Sequence, residues 1–318
     1  MHLCGFTTRP QRRPFSGGVS RFVGQAVVKS LGRVVLAGLL ALSAIACDDS
    51  EKRLVELSNQ GVQALQDQDY TRAEGLFRDA IKVRPGDADS LYYLGTIALR
   101  QGQFKDAIEH LQKSTDADPK RPDAFLSLAK ALYEEHRGDE AKKAVAALHG
   151  LDAGHPQGHF LLARMALDSG AGAKPDKTTA DGALRAAIAG DPGFAPAYQL
   201  LAQIYTEVGA FDAARAVLQE GLRFAPSSVE LQEALGLAWI DLGQPAKAKD
   251  ALSRASAMPR ARPAVYLNLA SALLALGEKD AAIEALKTFI LQAQGVAGQR
   301  DQQVQDAAAM VLRLRGQK

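Results

Sequence analysis

The stretch ADSLYYLGTIALRQGQFKDAIEHLQKSTDADPKR, Ala88–Arg121, decides the fold of this chain. Apolar residues recur every three or four positions in its two halves, which is the spacing of one helix face. Gly102 separates the halves, and Pro119 closes the second, because proline cannot donate a backbone hydrogen bond to a helix. The stretch therefore predicts a helix–turn–helix unit of about 34 residues.

The same unit recurs along most of the chain. Placed by the closing proline or turn, the units are 54–87, 88–121, 122–155, 156–194, 195–228, 229–262 and 263–296. The eighth place of each first helix is small: Gly61, Gly95, Ala129, Ala163, Ala202, Gly236 and Ala270. The second helix opens on an alanine, and a large apolar residue follows four places later. These pairs begin at Ala73, Ala107, Ala141, Ala180, Ala214, Ala248 and Ala282.

This pattern resembles the tetratricopeptide repeat of bacterial lipoproteins that carry such arrays. The resemblance implies an all-α, right-handed superhelical solenoid of about seven repeats with a concave groove. No unit buries its apolar face alone, so neighbouring units must stack. Residues 297–318 hold Val304, Ala308, Val311 and Leu312 at helical spacing, which predicts a capping helix over the last unit.

The charge distribution argues against nucleic acid as a partner. The whole chain of 318 residues has a formal net charge of +2, from 38 basic and 36 acidic residues. Residues 1–46 carry six basic and no acidic residues, so the rest holds 32 basic against 36 acidic side chains. The basic excess belongs to the leader, and the body is acidic.

The leader resembles a lipoprotein signal peptide. Val34–Ala46 is apolar, too short to span a bilayer comfortably, and preceded by basic residues. Cys47 follows small residues, as in a bacterial lipobox, which predicts lipidation at Cys47. We expect 1–46 to be the signal peptide, 1–27 to precede the true translation start, and 47–53 to be a tether. Ordinary cleavage after a small residue and an uncleaved anchor are the alternatives.

Localisation follows from the same segment. A lipidated Cys47 would hold the protein to the cell envelope, facing the periplasm. Asp48 and Asp49 resemble the signal that retains enterobacterial lipoproteins in the inner membrane, so that membrane is favoured over the outer one. A disulfide is not expected, because the mature chain would keep no second cysteine.

The sequence offers little catalytic chemistry. It contains no nucleophile motif, phosphate loop or dinucleotide fingerprint, so we expect neither an enzyme nor a cofactor. His149, His155 and His159 are close in sequence, but Pro156 interrupts any shared helical face. We interpret them as loop and core histidines and expect no metal site.

The groove is the remaining candidate site. In the resembled family its lining comes mainly from the second, fifth, ninth, twelfth and thirteenth places of each first helix. Units two to four hold there Tyr92, Thr96, Arg100, Leu126, Lys130, Tyr133, Phe160 and Arg164; unit five holds Gln199, Gln203 and Glu207; unit six holds Glu230, Glu233 and Asp241. This predicts a cationic, aromatic stretch that turns polar and then acidic.

The functional hypothesis is a peptide in this groove, with an acidic or C-terminal carboxylate end near Lys130 and Arg164. The alternative is that these side chains are ordinary solvated helix faces. The favoured role is a lipid-anchored adaptor or scaffold in an envelope complex of secretin, outer-membrane or polysaccharide-export type. A regulatory docking subunit for a cell-wall enzyme and a glycan-binding module are the other hypotheses.

Overall fold

The computed structural model describes residues 49–168, 174–259, 261–293 and 301–316, and all regular secondary structure in them is α-helical. The described part of α1 covers 49–66. The other helices are α2 Tyr70–Val83, α3 Ala88–Arg100, α4 Phe104–Ala117, α5 Pro122–Glu134, α6 Gly138–Leu151, α7 Pro156–Leu167, α8 Lys177–Gly190, α9 Ala195–Glu207, α10 Phe211–Phe224, α11 Val229–Asp241, α12 Pro245–Ala257, α13 Pro263–Ala275, α14 Lys279–Ala293 and α15 Asp301–Gly316.

The chain divides into two compact units after Ser90, and the first is the α1–α2 pair. Phe77 is fully buried against Gly61, where an added Cβ would lie 2.7 Å from the phenyl ring. Glu51 forms an ion pair with Arg84 at the end of α2. Residues 49–53, which the sequence assigns to a tether, are helical and exposed.

In the second unit, helices pair in chain order, and small residues set how closely they approach. An added Cβ would lie 2.4 Å from Leu111 Cγ at Gly95 and 2.4 Å from Leu252 Cγ at Gly236. Any side chain there would push the second helix away. The alanines that open the second helices have no exposed surface: Ala107, Ala141, Ala180, Ala214, Ala248 and Ala282.

The turns inside the repeats use a left-handed residue. Gly243, between α11 and α12, has a φ of 67°, a region that glycine enters without the steric cost of a Cβ. His136 occupies the same conformation between α5 and α6, with a φ of 59°. Gly170, a turn residue in the sequence pattern, lies outside the described residues.

The last helix covers α14. Ala307 and Val311 of α15 are buried in a cluster with Phe289 and Ala293, as expected for a cap. Leu312, in contrast, is 71% exposed, so its assignment to the packed face is wrong. Within the described residues, no helix is both long and apolar enough to cross a membrane.

Candidate functional site

A pocket of about 470 Å³ lies where the first helices of four successive units, α3, α5, α7 and α9, come together with one second helix, α4. It contains three of the predicted groove residues, Lys130, Phe160 and Arg164. The remaining lining residues are Leu99, Phe104, Glu134, Gln157, Leu161, Phe194 and Pro196. We call this site the groove pocket. It is large enough for one or two amino acid side chains.

The floor and wall of the groove pocket are apolar. Phe160 of α7 meets Phe194, the residue before α9, with ring centroids 5.6 Å apart and planes at 85°. Such an edge-to-face pair is favoured by the quadrupoles of the two rings. Both rings also pack on the core between α7, α8 and α9, which fixes their positions. The wall is therefore rigid and partly open to solvent.

Two cations border this apolar wall. The Lys130 ammonium donates to Gln157 Oε1 at 3.1 Å. Burial lowers the pKa of Lys130, against the opposing charge of Asp123. Arg164 lies with its guanidinium carbon 4.7 Å from the Tyr133 ring centroid, and its Nη2 is 3.8 Å from Glu134 Oε1. A desolvated ammonium held by a neutral amide gains from an anionic partner, so Lys130 favours a carboxylate here.

Tyr133 borders a second, smaller pocket of about 260 Å³ beside the groove pocket. Its hydroxyl donates to Asp168 Oδ2 at 3.1 Å, and its ring packs on the core around α5 and α6. Burial raises the pKa of Tyr133, while Arg164 acts in the opposite direction. Tyr133 therefore contacts Arg164 through its ring and does not line the groove pocket.

Other predicted groove residues lie outside the groove pocket. Leu126 is only 6% exposed and belongs to the core, so its assignment to the groove surface is wrong. Tyr92 is half-buried, with the Arg121 guanidinium 5.1 Å from its ring centroid. The Thr96 hydroxyl donates to the Tyr93 carbonyl oxygen, so its hydrogen bond lies within its own helix.

The polar residues of α9 and the end of α3 are on the surface. Arg100, Gln199 and Gln203 are exposed. Gln203 donates to Glu207 Oε1 at 3.1 Å, and Glu207 also pairs with Lys177. The polar stretch of the groove is thus partly occupied by its own hydrogen bonds.

The acidic end differs most from its prediction. Glu233 is 5% exposed, accepts a hydrogen bond from Asn268 Nδ2 at 3.0 Å, and forms an ion pair with Arg262. It joins two units and offers no charge to a ligand. Glu230 and Asp241 are exposed, so only these two carry the predicted acidic surface.

Comparison with known families decides the identity of the repeat. Models of the tetratricopeptide repeat match residues 59–122, 98–165 and 176–311. The chain belongs to the tetratricopeptide-repeat proteins. The matches extend from the first repeat into α15, so they include every helix of the groove pocket.

Two curated tetratricopeptide relatives illustrate the family. The chain is 26% identical over 224 residues to the TPR repeat-containing protein YpiA of Bacillus subtilis, covering 69% of this chain and 52% of that protein. It is 30% identical over 198 residues to cellulose synthase 1 operon protein C of Komagataeibacter xylinus, covering 61% of this chain and 13% of that protein. The chain thus spans about half of the first relative and a small part of the second.

Solved structures give the same fold. A tetratricopeptide repeat protein from Parabacteroides merdae superimposes with a TM-score of 0.57 at 16% identity, over 82% of this chain and 99% of that one. Cut9–Hcn1 of the APC/C gives 0.54 at 15% identity, over 82% of this chain and 52% of that one. Together with the helix pairs, they confirm the predicted all-α tetratricopeptide solenoid.

Sequence reasoning named three of the ten residues that line the groove pocket and missed the other seven. Phe194 lies in the linker before a tetratricopeptide unit, and Phe104 is the first residue of a second helix, so neither occupies a groove place of the repeat. Gln157 was missed although it holds the second place of its unit. Large aromatic residues at linker and turn positions that are usually polar were the available signal.

The three histidines form no metal site. In the part of the chain that the structure describes, no group of three or more His, Cys, Asp or Glu side chains is placed to hold a metal ion. His155 caps α7 by accepting from the Gly158 N–H, and His159 Nε2 lies 2.9 Å from the Ala153 carbonyl oxygen. His149 contacts His159 ring to ring. The three histidines make contacts between the end of α6 and the start of α7.

Proposed function

We propose that this tetratricopeptide-repeat protein is a non-catalytic adaptor that binds a partner peptide along α5 and α7. The peptide places an acidic side chain or a C-terminal carboxylate beside Lys130 and Arg164. The observation that carries this proposal is the groove pocket, because it joins both cations to an apolar wall. Aromatic wall residues supply desolvated contact area, and the guanidinium supplies directional hydrogen bonds.

The charge balance of the groove pocket supports an anionic ligand. Two cations and one carboxylate, Glu134, border the pocket. The contact between Arg164 and Glu134 is long, at 3.8 Å, and both side chains are more than two-fifths exposed. Such a pair holds its partners weakly, so a better-placed carboxylate would displace Glu134.

We further propose that Cys47 carries the lipid that holds the protein in the cell envelope, facing the periplasm. Residue 49 is already helical, so only Asp48 separates Cys47 from the helical residues. An anchored array would keep its groove within reach of partners on the same membrane and raise their effective concentration. Inner-membrane retention remains part of this proposal.

The favoured setting is an assembly for export of a polysaccharide. The likeness to cellulose synthase operon protein C from two bacterial genera, at 28–30% identity, supports this setting over a secretin or outer-membrane complex. In that role the chain binds protein components and does not act on the glycan. Retention of the protein on a glucan column would favour the glycan-binding alternative.

The peptide proposal is tested with a displayed library of peptides that end in free carboxyl groups. The test chain is the double variant Lys130→Ala/Arg164→Ala. The matched control, Lys113→Ala/Lys143→Ala, removes two exposed lysines of second helices that do not line the groove pocket. Peptides selected by the wild type and the control, but lost by the double variant, would support the proposal. Equal selection by all three chains would refute it.

The anchor is tested separately by membrane fractionation. Wild-type protein is expected in the membrane fraction and a Cys47→Ala variant in the soluble fraction. Metabolic labelling with a fatty acid should mark only the wild type. A Cys47→Ala variant that stays equally membrane-bound would disprove lipidation as the anchor.

A further inference from the structure

Three histidines meet where the third repeat joins the fourth, outside the groove pocket. His149 lies in the last turn of α6, His155 is the N-cap of α7, and His159 lies one turn further on. The rings of His149 and His159 have centroids 4.1 Å apart and planes inclined by 33°. We call these three residues the histidine cluster. Two of its imidazoles are in direct contact across the joint.

The contacts of the cluster assign an acceptor or a donor role to individual ring nitrogens. His155 Nδ1 accepts a hydrogen bond from the Gly158 N–H at 3.3 Å, so this nitrogen carries no proton. His159 Nε2 lies 2.9 Å from the Ala153 carbonyl oxygen, which can only accept, so Nε2 carries the proton of that ring. Among the described residues, buried His149 Nε2 finds no hydrogen-bond partner.

The Nε2 side of the His149 ring is closed off by α7. An added Cβ on Gly158 would lie 2.7 Å from His149 Nε2 and 3.0 Å from Leu148 Cδ2. The backbone of α7 therefore sits directly on the His149 ring. A proton added at Nε2 would place a charge against the α7 backbone and the second imidazole, and separation of α6 from α7 would relieve this.

We propose that the histidine cluster is an acid-sensitive joint that loosens the start of α7 from α6 as the pH falls below neutrality. The Gly158 N–H belongs to the first turn of α7, where it donates to His155 Nδ1 at 3.3 Å and to the His155 carbonyl oxygen at 3.1 Å. Protonation of His149 would weaken the contact between this turn of α7 and α6. The first turns of α7 carry Gln157 and Phe160, so acid would also distort the groove pocket. This last step rests on the proposed peptide function.

The direction of the effect follows from the surroundings of His149. Burial, then the charges of His159 and His155 from α7, lower the pKa of His149 below its ordinary value of 6.5, and Asp152 at the end of α6 opposes this. The folded chain therefore favours neutral His149. The stability of the joint is fully present above pH 6.5 and is lost as the pH falls through the lowered pKa of the folded state.

Hydrogen exchange of the full-length chain tests the joint. Amide protection, corrected for intrinsic exchange rates, is compared between pH 7.5 and pH 5.5 for α7 and, as an internal reference, for α11. We expect protection of α7 to fall several-fold relative to α11, because the unfolded chain binds the His149 proton more readily than the folded chain. Equal changes in both helices would overturn the proposal.

Variants connect the effect to the histidines. His149→Phe/His155→Asn removes two imidazoles while keeping a ring in the joint and an N-cap acceptor on α7. Its α7 protection should not depend on pH. The control His136→Asn removes an exposed histidine outside the cluster and should behave as the wild type. A variant that keeps the wild-type loss in acid would refute the assignment to these residues.

Two further measurements keep the test independent of variant folding and of the peptide function. Nuclear magnetic resonance titration of wild-type His149 should give a pKa below 6.5, and a value at or above 6.5 would refute the joint. A peptide selected at pH 7.5 should bind several-fold more weakly at pH 5.5. If exchange responds to acid but no peptide binds at either pH, the joint stands and the peptide function fails.

Discussion

Two regions of the second compact unit carry charged residues at predicted groove places but use them differently. Around α5 and α7, Lys130 and Arg164 border a pocket and have long or neutral partners. Around α11 and α13, Glu233 is buried and held by Arg262 and Asn268. A groove place in the repeat thus does not by itself make a charge available, because the side chains that surround it can bind that charge.

The largest effect should come from reversing the buried charge. Glu233→Lys would bring a second cation against Arg262 with almost no access to water. We expect the free energy of unfolding to fall by about 3 kcal/mol or more, the range for breaking a buried ion pair. Urea denaturation followed through the single tryptophan, Trp239 of the same helix, measures it.

Asp241→Lys is the matched control for this reversal. It makes the same change of charge on the same helix, at an exposed position in its last turn. A cation there suits the helix dipole, so the change should stay within about 0.5 kcal/mol. Equal losses of unfolding free energy in the two variants would show that the buried contacts of Glu233 add no stability.

Removing charge from the other region should change binding without changing stability. For a peptide selected as above, Arg164→Gln is expected to weaken binding about tenfold, the value of one charge-assisted hydrogen bond. The urea midpoint should stay at the wild-type value, because Arg164 is exposed. Fluorescence anisotropy at two salt concentrations measures both the loss and its screening. A large drop in the urea midpoint would instead mark Arg164 as structural.

Most of the fold was predictable because the repeat places each buried residue by a fixed spacing. The seven fully buried alanines and the glycines of close approach follow directly from that spacing. The candidate site was only partly predictable. Lys130, Phe160 and Arg164 were found, but Phe104 and Phe194 come from a turn and a linker that the repeat does not constrain.

Side-chain pairing explains the remaining errors. Glu233 contacts Arg262, 29 positions later, and Asn268, 35 positions later. Neither partner holds a groove place of its unit. Leu126 holds the fifth place of its unit, as Glu233 does, and it is buried as well. A spacing rule describes the backbone of one unit, whereas burial depends on what the neighbouring unit presents.

The two regions also differ in the turn that closes their first helix. Gly243 follows α11 with a φ of 67°, and His136 follows α5 with a φ of 59°. Gly243→Ala should lower the free energy of unfolding by about 1 kcal/mol, since a Cβ is strained there. His136→Gly should raise it by about 0.5 kcal/mol, because relief of strain exceeds the entropy of glycine. Thermal denaturation measures both, and effects of equal sign would contradict the strain argument.

The smallest expected effect is the coupling between Glu134 and Arg164. A double-mutant cycle with Glu134→Gln and Arg164→Gln should give a coupling below about 0.5 kcal/mol, because both side chains are more than two-fifths exposed and 3.8 Å apart. Added salt should reduce it further. A coupling above about 1 kcal/mol would mean that Glu134 already forms a strong ion pair with the Arg164 guanidinium. The region around α5 and α7 would then resemble the region around α11 and α13, with its charges committed to the fold and withheld from a peptide.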